Sequence, residues 1–173
     1  MNLKQNKKGL TLIELMVALA ILAIIVPIIV SVSVSGFNVL TLSSDRAYIQ
    51  QDARLKSNFV VNELRNVKAV DTSPSFAGSY YALTLKSNGT QHYLAKQWLT
   101  DGAVDREQII GAGDTIDISF FPTDSAGLID GTVESARNGE TYTLHYSILL
   151  ENIHDVVSLP SQGTSILYYS KYE

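Results

Sequence analysis

No cysteine occurs among the 173 residues, so disulfides and thiolate metal sites are excluded and any folded domain rests on its core alone. Metal-ligand spacing is also missing. His92, His145 and His154 are scattered, and no His-Glu-x-x-His is present. Gly111-Ala112-Gly113 lacks the third glycine of a dinucleotide fingerprint and opens no helix. Ser33 and Ser35 follow an apolar run and sit on no nucleophile elbow. Basic clusters are absent beyond the first residues, and the net charge is −4, which argues against nucleic-acid binding by this chain. No internal repeat or low-complexity tract is present. These absences favour a structural role over an enzymatic one.

Charge is scarcest in one stretch. Residues 10–30 hold a single charge, Glu14, and a single proline, Pro27. At about 1.5 Å per residue such a helix spans roughly 30 Å, the thickness of a bilayer's hydrocarbon core. Lys4, Lys7 and Lys8 precede it with no acid among them, which predicts a cytoplasmic N-terminus and an outward C-terminal domain. A secretory signal peptide would have a shorter apolar region, no early glutamate and a small-residue cleavage site at its end. Ala18-Leu19-Ala20 has suitable residues but lies in the middle of the run.

Glu14 needs a reason to be there. A carboxylate within a lipid-embedded helix costs about 2.5–3.5 kcal/mol on insertion scales. Snorkelling to the interface is one answer. A partner cation is the sharper one, and residues 10–30 contain none. Cleavage after Gly9 would create one, a free α-amino group on Leu10, with Glu14 fifth in the mature chain.

Lys7-Lys8-Gly9-Leu10-Thr11-Leu12-Ile13-Glu14-Leu15 resembles the type III signal of type IV pilins and pseudopilins. The resemblance covers residues 7 to about 30. It implies that prepilin peptidase, recognising Lys8 and Gly9, cuts after Gly9 and that Leu10 is then methylated. It also implies that Glu14 sets the axial register when apolar helices pack into a filament, because an unpaired buried carboxylate is costly. Leucine at position 10, where major pilins usually carry phenylalanine, points to a minor or accessory subunit. The implied partners are other pilin or pseudopilin subunits, prepilin peptidase, the inner-membrane assembly platform and, before assembly, membrane lipid. The implied location is the cytoplasmic (inner) membrane, with the C-terminal domain outside, and then a pilus or pseudopilus.

The expected fold class is α+β: one long N-terminal helix packed on a mostly antiparallel β-sheet. Residues 1–9 form the leader, 10–36 the transmembrane half of the helix, and 37–173 the extracytoplasmic domain. Removing the leader takes three lysines with it and leaves ten basic and seventeen acidic side chains. Pro27 deletes a helical hydrogen bond, and Ser31, Ser33, Ser35 and Gly36 follow. This is either a soft section or a simple proline kink with serines bonding back to the preceding turn.

Helical periodicity resumes over 37–70. Leu42, Ile49, Ala53, Val60, Leu64 and Val67 form a core stripe, widened by Tyr48, Leu55 and Phe59. Asp45, Gln50, Asp52, Asn58, Asn62 and Arg65 lie off it, and Asp71-Thr72-Ser73-Pro74 ends it. The stretch 51–67 is loosely similar to the outer helix of J-type pseudopilins and W-type minor pilins, which would place the chain near a filament tip.

Five strands are expected, at 80–86, 91–99, 115–121, 141–150 and 165–169. Asn88-Gly89 makes the first two a hairpin, a better use of Asn88-Gly89-Thr90 than a glycosylation sequon. Residues 100–114 and 123–140 read as loops. Asp101, Asp105, Asp114, Asp124 and Asp130 in these loops could gather calcium, as some pseudopilins do, though acids in loops are usually solvated. Two functions of different class follow: a minor pilin or pseudopilin subunit, or a membrane-anchored binding or adhesion module that does not polymerise.

Overall fold

Helix α1, Leu12–Leu64, is followed by β1 (Val67–Asp71), β2 (Ser79–Asn88), β3 (Gln91–Thr100), β4 (Ala103–Ile110), β5 (Thr115–Pro122), β6 (Leu128–Arg137), β7 (Glu140–Leu149) and β8 (Ile166–Lys171). The computed structural model describes residues 11–73, 76–89, 91–111, 115–123, 127–151 and 163–171. The chain divides into two units, Met1–Ser43 and Ser44–Glu173, and α1 contributes residues to both.

In the first unit every described residue is exposed. Residues 27–36 are helical throughout, so the expected local melting is not seen. Hydroxyls reinforce the backbone around the proline. Ser31 Oγ donates to the Pro27 carbonyl at 2.8 Å and Ser33 Oγ to the Ile29 carbonyl at 2.9 Å. These bonds satisfy the polar side chains within the helix itself, as expected of serine in an apolar surround.

In the second unit α1 buries Asp45, Ile49, Asp52, Ala53, Lys56, Ser57, Val60 and Leu64, a stripe recurring every three or four residues. Four of these positions carry the expected apolar stripe. Tyr48 and Leu55, expected to widen it, are 38% and 49% exposed. The helix stops at Leu64, six residues before the expected end at Val70, and Val67 belongs to β1. Two hydrogen bonds close it. Arg65 N–H donates to the Val61 carbonyl at 3.1 Å, and the Arg65 carbonyl accepts from Glu151 N–H at 3.1 Å.

All strand pairs are antiparallel, in a five-stranded sheet of order β1-β8-β2-β3-β4 and a three-stranded sheet of order β5-β6-β7. The five expected strands are present. The two stretches read as loops contain β4 and β6, and β1 was read as helix, so the described residues hold eight strands in two sheets. The predicted β2–β3 hairpin pairs Asn88 with Gln91, and Gly89 takes φ +69° in the turn. β4 and β6 also enter two-residue hairpins, with Asx-Gly at the turn. Asp101-Gly102 (φ +50°, +88°) links β3 to β4, and Asn138-Gly139 (φ +51°, +83°) links β6 to β7. Two consecutive positive φ values define the tight turn that matches strand twist, and Asp-Gly and Asn-Gly are the dipeptides that tolerate it.

One core joins the second unit's helix segment to both sheets. Ala53, Val60 and Leu64 meet Leu83, Leu94 and Leu167 of the larger sheet and Ile118, Phe120, Ile129, Val133 and Ile148 of the smaller. Full burial of each large apolar side chain contributes roughly 1.5–3 kcal/mol. Phe120 and Thr164 exchange backbone hydrogen bonds at 2.8 and 3.0 Å, stitching β5 to the stretch before β8.

Charges bury themselves in this core only with partners. Lys56 is fully buried against Asp52, whose Oδ2 also accepts from Ser135 Oγ on β6 at 2.8 Å. Gly111 closes over the pair. A Cβ there would lie 3.1 Å from Lys56 Cε, and its φ of +75° disfavours a side chain in any case. Asp45 accepts from Asn138 Nδ2 at 2.9 Å and pairs with Arg137 Nε at 3.1 Å. Glu63 Oε1 accepts from Lys96 Nζ and Lys171 Nζ, both at 2.6 Å, and from Tyr169 Oη at 2.8 Å.

Candidate assembly segment

The candidate site is the first unit's helix, and its N-terminal turn is locally dictated. Thr11 N–H donates to Glu14 Oε2 at 2.8 Å, and Thr11 Oγ1 donates to the same oxygen at 2.9 Å. Glu14 N–H returns a bond to Thr11 Oγ1 at 3.3 Å. This is a reciprocal capping box, Thr at the N-cap and Glu three residues on, and it satisfies backbone donors that begin a helix without partners. Sequence reasoning weighed Glu14 as a snorkelling acid or a group awaiting a cation and missed the cap. The Thr-x-x-Glu spacing before an apolar run was the available signal.

The remainder of the segment offers Glu14 no countercharge, since residues 11–43 contain no Lys or Arg. Instead the side chains form a continuous apolar exterior, from Leu12 at 79% exposed to Phe37 at 69%. Contiguous apolar surface on this scale marks contact with lipid or protein. α1 is long and apolar enough to cross a membrane, and the most apolar window within it has no buried residue.

The expected processing residues Lys8, Gly9 and Leu10 lie outside the described residues. Pro27 sits inside α1, where its carbonyl accepts from Ser31. Among the aspartates considered for calcium, Asp114 and Asp124 also lie outside the described residues. Asp101 occupies the β3–β4 turn, Asp105 accepts from Thr100 Oγ1 at 2.6 Å, and Asp130 on β6 accepts from Ser147 Oγ at 2.6 Å. Among the described residues no three His, Asp or Glu side chains are grouped to hold a metal. His92 and His145 are exposed on β3 and β7, and His154 is outside the described residues.

Electrostatics in the second unit serve packing. Burial pushes the Glu63 carboxyl up, but the hydrogen bonds from Lys171, Lys96 and Tyr169 outweigh it and hold it below its ordinary value. Burial, reinforced by the charge of Glu63, drives the Tyr169 hydroxyl far above the usual tyrosine range.

Residues 4–26 match the family model described as the prokaryotic N-terminal methylation motif, the type IV pilin signature. No curated protein and no solved structure matches the chain. The matched segment contains Lys8, Gly9, Leu10 and Glu14 and ends one residue before Pro27. That motif marks a substrate of prepilin peptidase, and with the apolar helix it points to a membrane-anchored structural subunit.

Proposed function

We propose that this chain is a minor pilin or pseudopilin. It enters the inner membrane through residues 10–36 with its C-terminal domain outside, and residues 1–9 act as a leader removed after Gly9. The new α-amino group of Leu10 is methylated. The processed helix then packs against those of other subunits in a pilus or pseudopilus, or primes such a filament on its membrane platform. The observation that carries this reading is a single carboxylate, within the matched methylation motif, on an exposed and otherwise uncharged stretch of helix up to residue 43.

The chemistry is positional. Cleavage places a cation four residues from Glu14, the charge that residues 11–43 do not supply. In an apolar filament interior, the pairing of that carboxylate with a neighbour's amine favours one axial register over its alternatives, since any other leaves a charge unpaired. In the unassembled helix the capping box holds the same carboxylate with Thr11, which lowers the cost of waiting in the membrane. Mass spectrometry of the native protein tests the proposal. An N-methylated Leu10 at the terminus supports it, and an intact or differently cut N-terminus overturns it.

A further inference from the structure

One row of side chains crosses the five-stranded sheet. Arg106 on β4 pairs with Trp98 on β3, Trp98 with Tyr81 on β2, and Tyr81 with Tyr169 on β8. Residues directly opposite each other point to the same sheet face, so the four form a continuous strip. Tyr81 and Trp98 meet edge-on at 6.2 Å, and Tyr81 stacks on Tyr169 at 5.3 Å. Cations are set over these rings. The Arg106 guanidinium lies 4.8 Å from the Trp98 centroid and Lys96 Nζ lies 4.7 Å from it. Lys96 and Lys171 lie 4.8 and 5.8 Å from the Tyr81 centroid.

The charges do not balance. Lys96 and Lys171 both spend their ion pairs on Glu63, and among the described residues Arg106 makes no salt bridge at all. Three cations therefore share one carboxylate. The imbalance stands out because the second unit is acidic, with ten Lys and Arg against sixteen Asp and Glu. Arg106 is exposed and Trp98 and Tyr81 are half-buried, so the strip is open to solvent at the β4 edge. Aromatic rings flanked by arginine are the composition that anchors protein interfaces.

We propose that the Arg106–Trp98–Tyr81 strip, with the partly exposed Lys171 beside it, is a docking surface for carboxylate side chains of an acidic protein partner. An excess of two positive charges suits one or two carboxylates. A nucleic acid fits less well, because a unit with ten Lys and Arg against sixteen Asp and Glu offers few cations for a run of phosphates. The guanidinium supplies a planar pair of donors for one carboxylate, and the rings exclude water from its far side.

Trp98 is the only tryptophan in the chain, so its fluorescence reports the site directly. Full-length protein in neutral detergent micelles is titrated with an oligoglutamate peptide, with inorganic phosphate and a single-stranded oligonucleotide as competing probes. The expected result is a saturable change in Trp98 emission with oligoglutamate that is suppressed by added salt. Arg106→Gln should weaken the apparent affinity roughly tenfold, while Arg106→Lys, which keeps the charge, should bind more tightly than Arg106→Gln. Circular dichroism of both variants establishes that the fold is kept. The proposal is overturned by no response to oligoglutamate, by an equal response in Arg106→Gln, or by tighter binding of phosphate or oligonucleotide.

Discussion

The two units treat charge in opposite ways. Residues 44–173 bury Asp45, Asp52, Lys56 and Lys96, each with a countercharge from the same unit. Residues 11–43 carry one charge on an exposed apolar helix and supply it only a hydroxyl and an amide from Thr11. A buried ion that is paired is tolerable, and one left alone is not. The second unit thus pairs every charge it buries among the described residues. The first supplies its one carboxylate no countercharge within residues 11–43.

The contrast can be broken most sharply at Lys56. Lys56→Met keeps the volume but strands Asp52 inside the core, and urea unfolding should show a loss of about 3–5 kcal/mol. The double variant Asp52→Leu, Lys56→Met should recover most of it. A neutral Lys56→Met would mean that pairing does not govern this interior. Next in size is Gly131→Ala on β6. Its Cβ would lie 2.5 Å from Tyr146 Cζ, and the resulting overpacking should cost about 1–3 kcal/mol in the same assay.

Titration sharpens the comparison further. The Glu63 carboxyl is held below its ordinary value of 4.5 in the folded state. A depressed carboxyl contributes stability that is fully present above the unfolded value and is lost as pH falls through the folded one. Unfolding midpoints should therefore drop below pH about 4.5 and do so less steeply in Glu63→Gln. The smallest effect is expected at Tyr146, whose buried hydroxyl finds no hydrogen-bond partner among the described residues. Tyr146→Phe should leave the unfolding midpoint unchanged or slightly raised, since removing an unsatisfied polar atom removes its desolvation cost.

Much of this was legible before the structure. The methylation motif, the apolar span, the α+β class and four of the core positions on α1 all follow from spacing and composition. What escaped has physical causes. β6 turns Ile129, Gly131, Val133 and Ser135 inward, and the small residues hide its alternation. Gly131 is there because the Tyr146 ring fills its space, and Ser135 because it bonds Asp52. β4 is exposed at all but its last residue, so no apolar period marks it, yet Asp101-Gly102 announced its turn. Val67 continued the helical stripe by chance of spacing, although the chain had already turned into β1. Asp45 and Asp52 read as lying off the stripe because their partners, Arg137, Asn138, Lys56 and Ser135, are met only when the fold closes over the helix.

The most direct test is Glu14→Leu in the native host, comparing the membrane fraction with sheared filaments or with co-purified pilin subunits. The expected result is normal cleavage after Gly9, normal membrane insertion, an unchanged unfolding midpoint for the second unit and loss of incorporation into filaments. Equal incorporation of Glu14→Leu and the unaltered chain would contradict the assignment of that carboxylate to a neighbouring subunit.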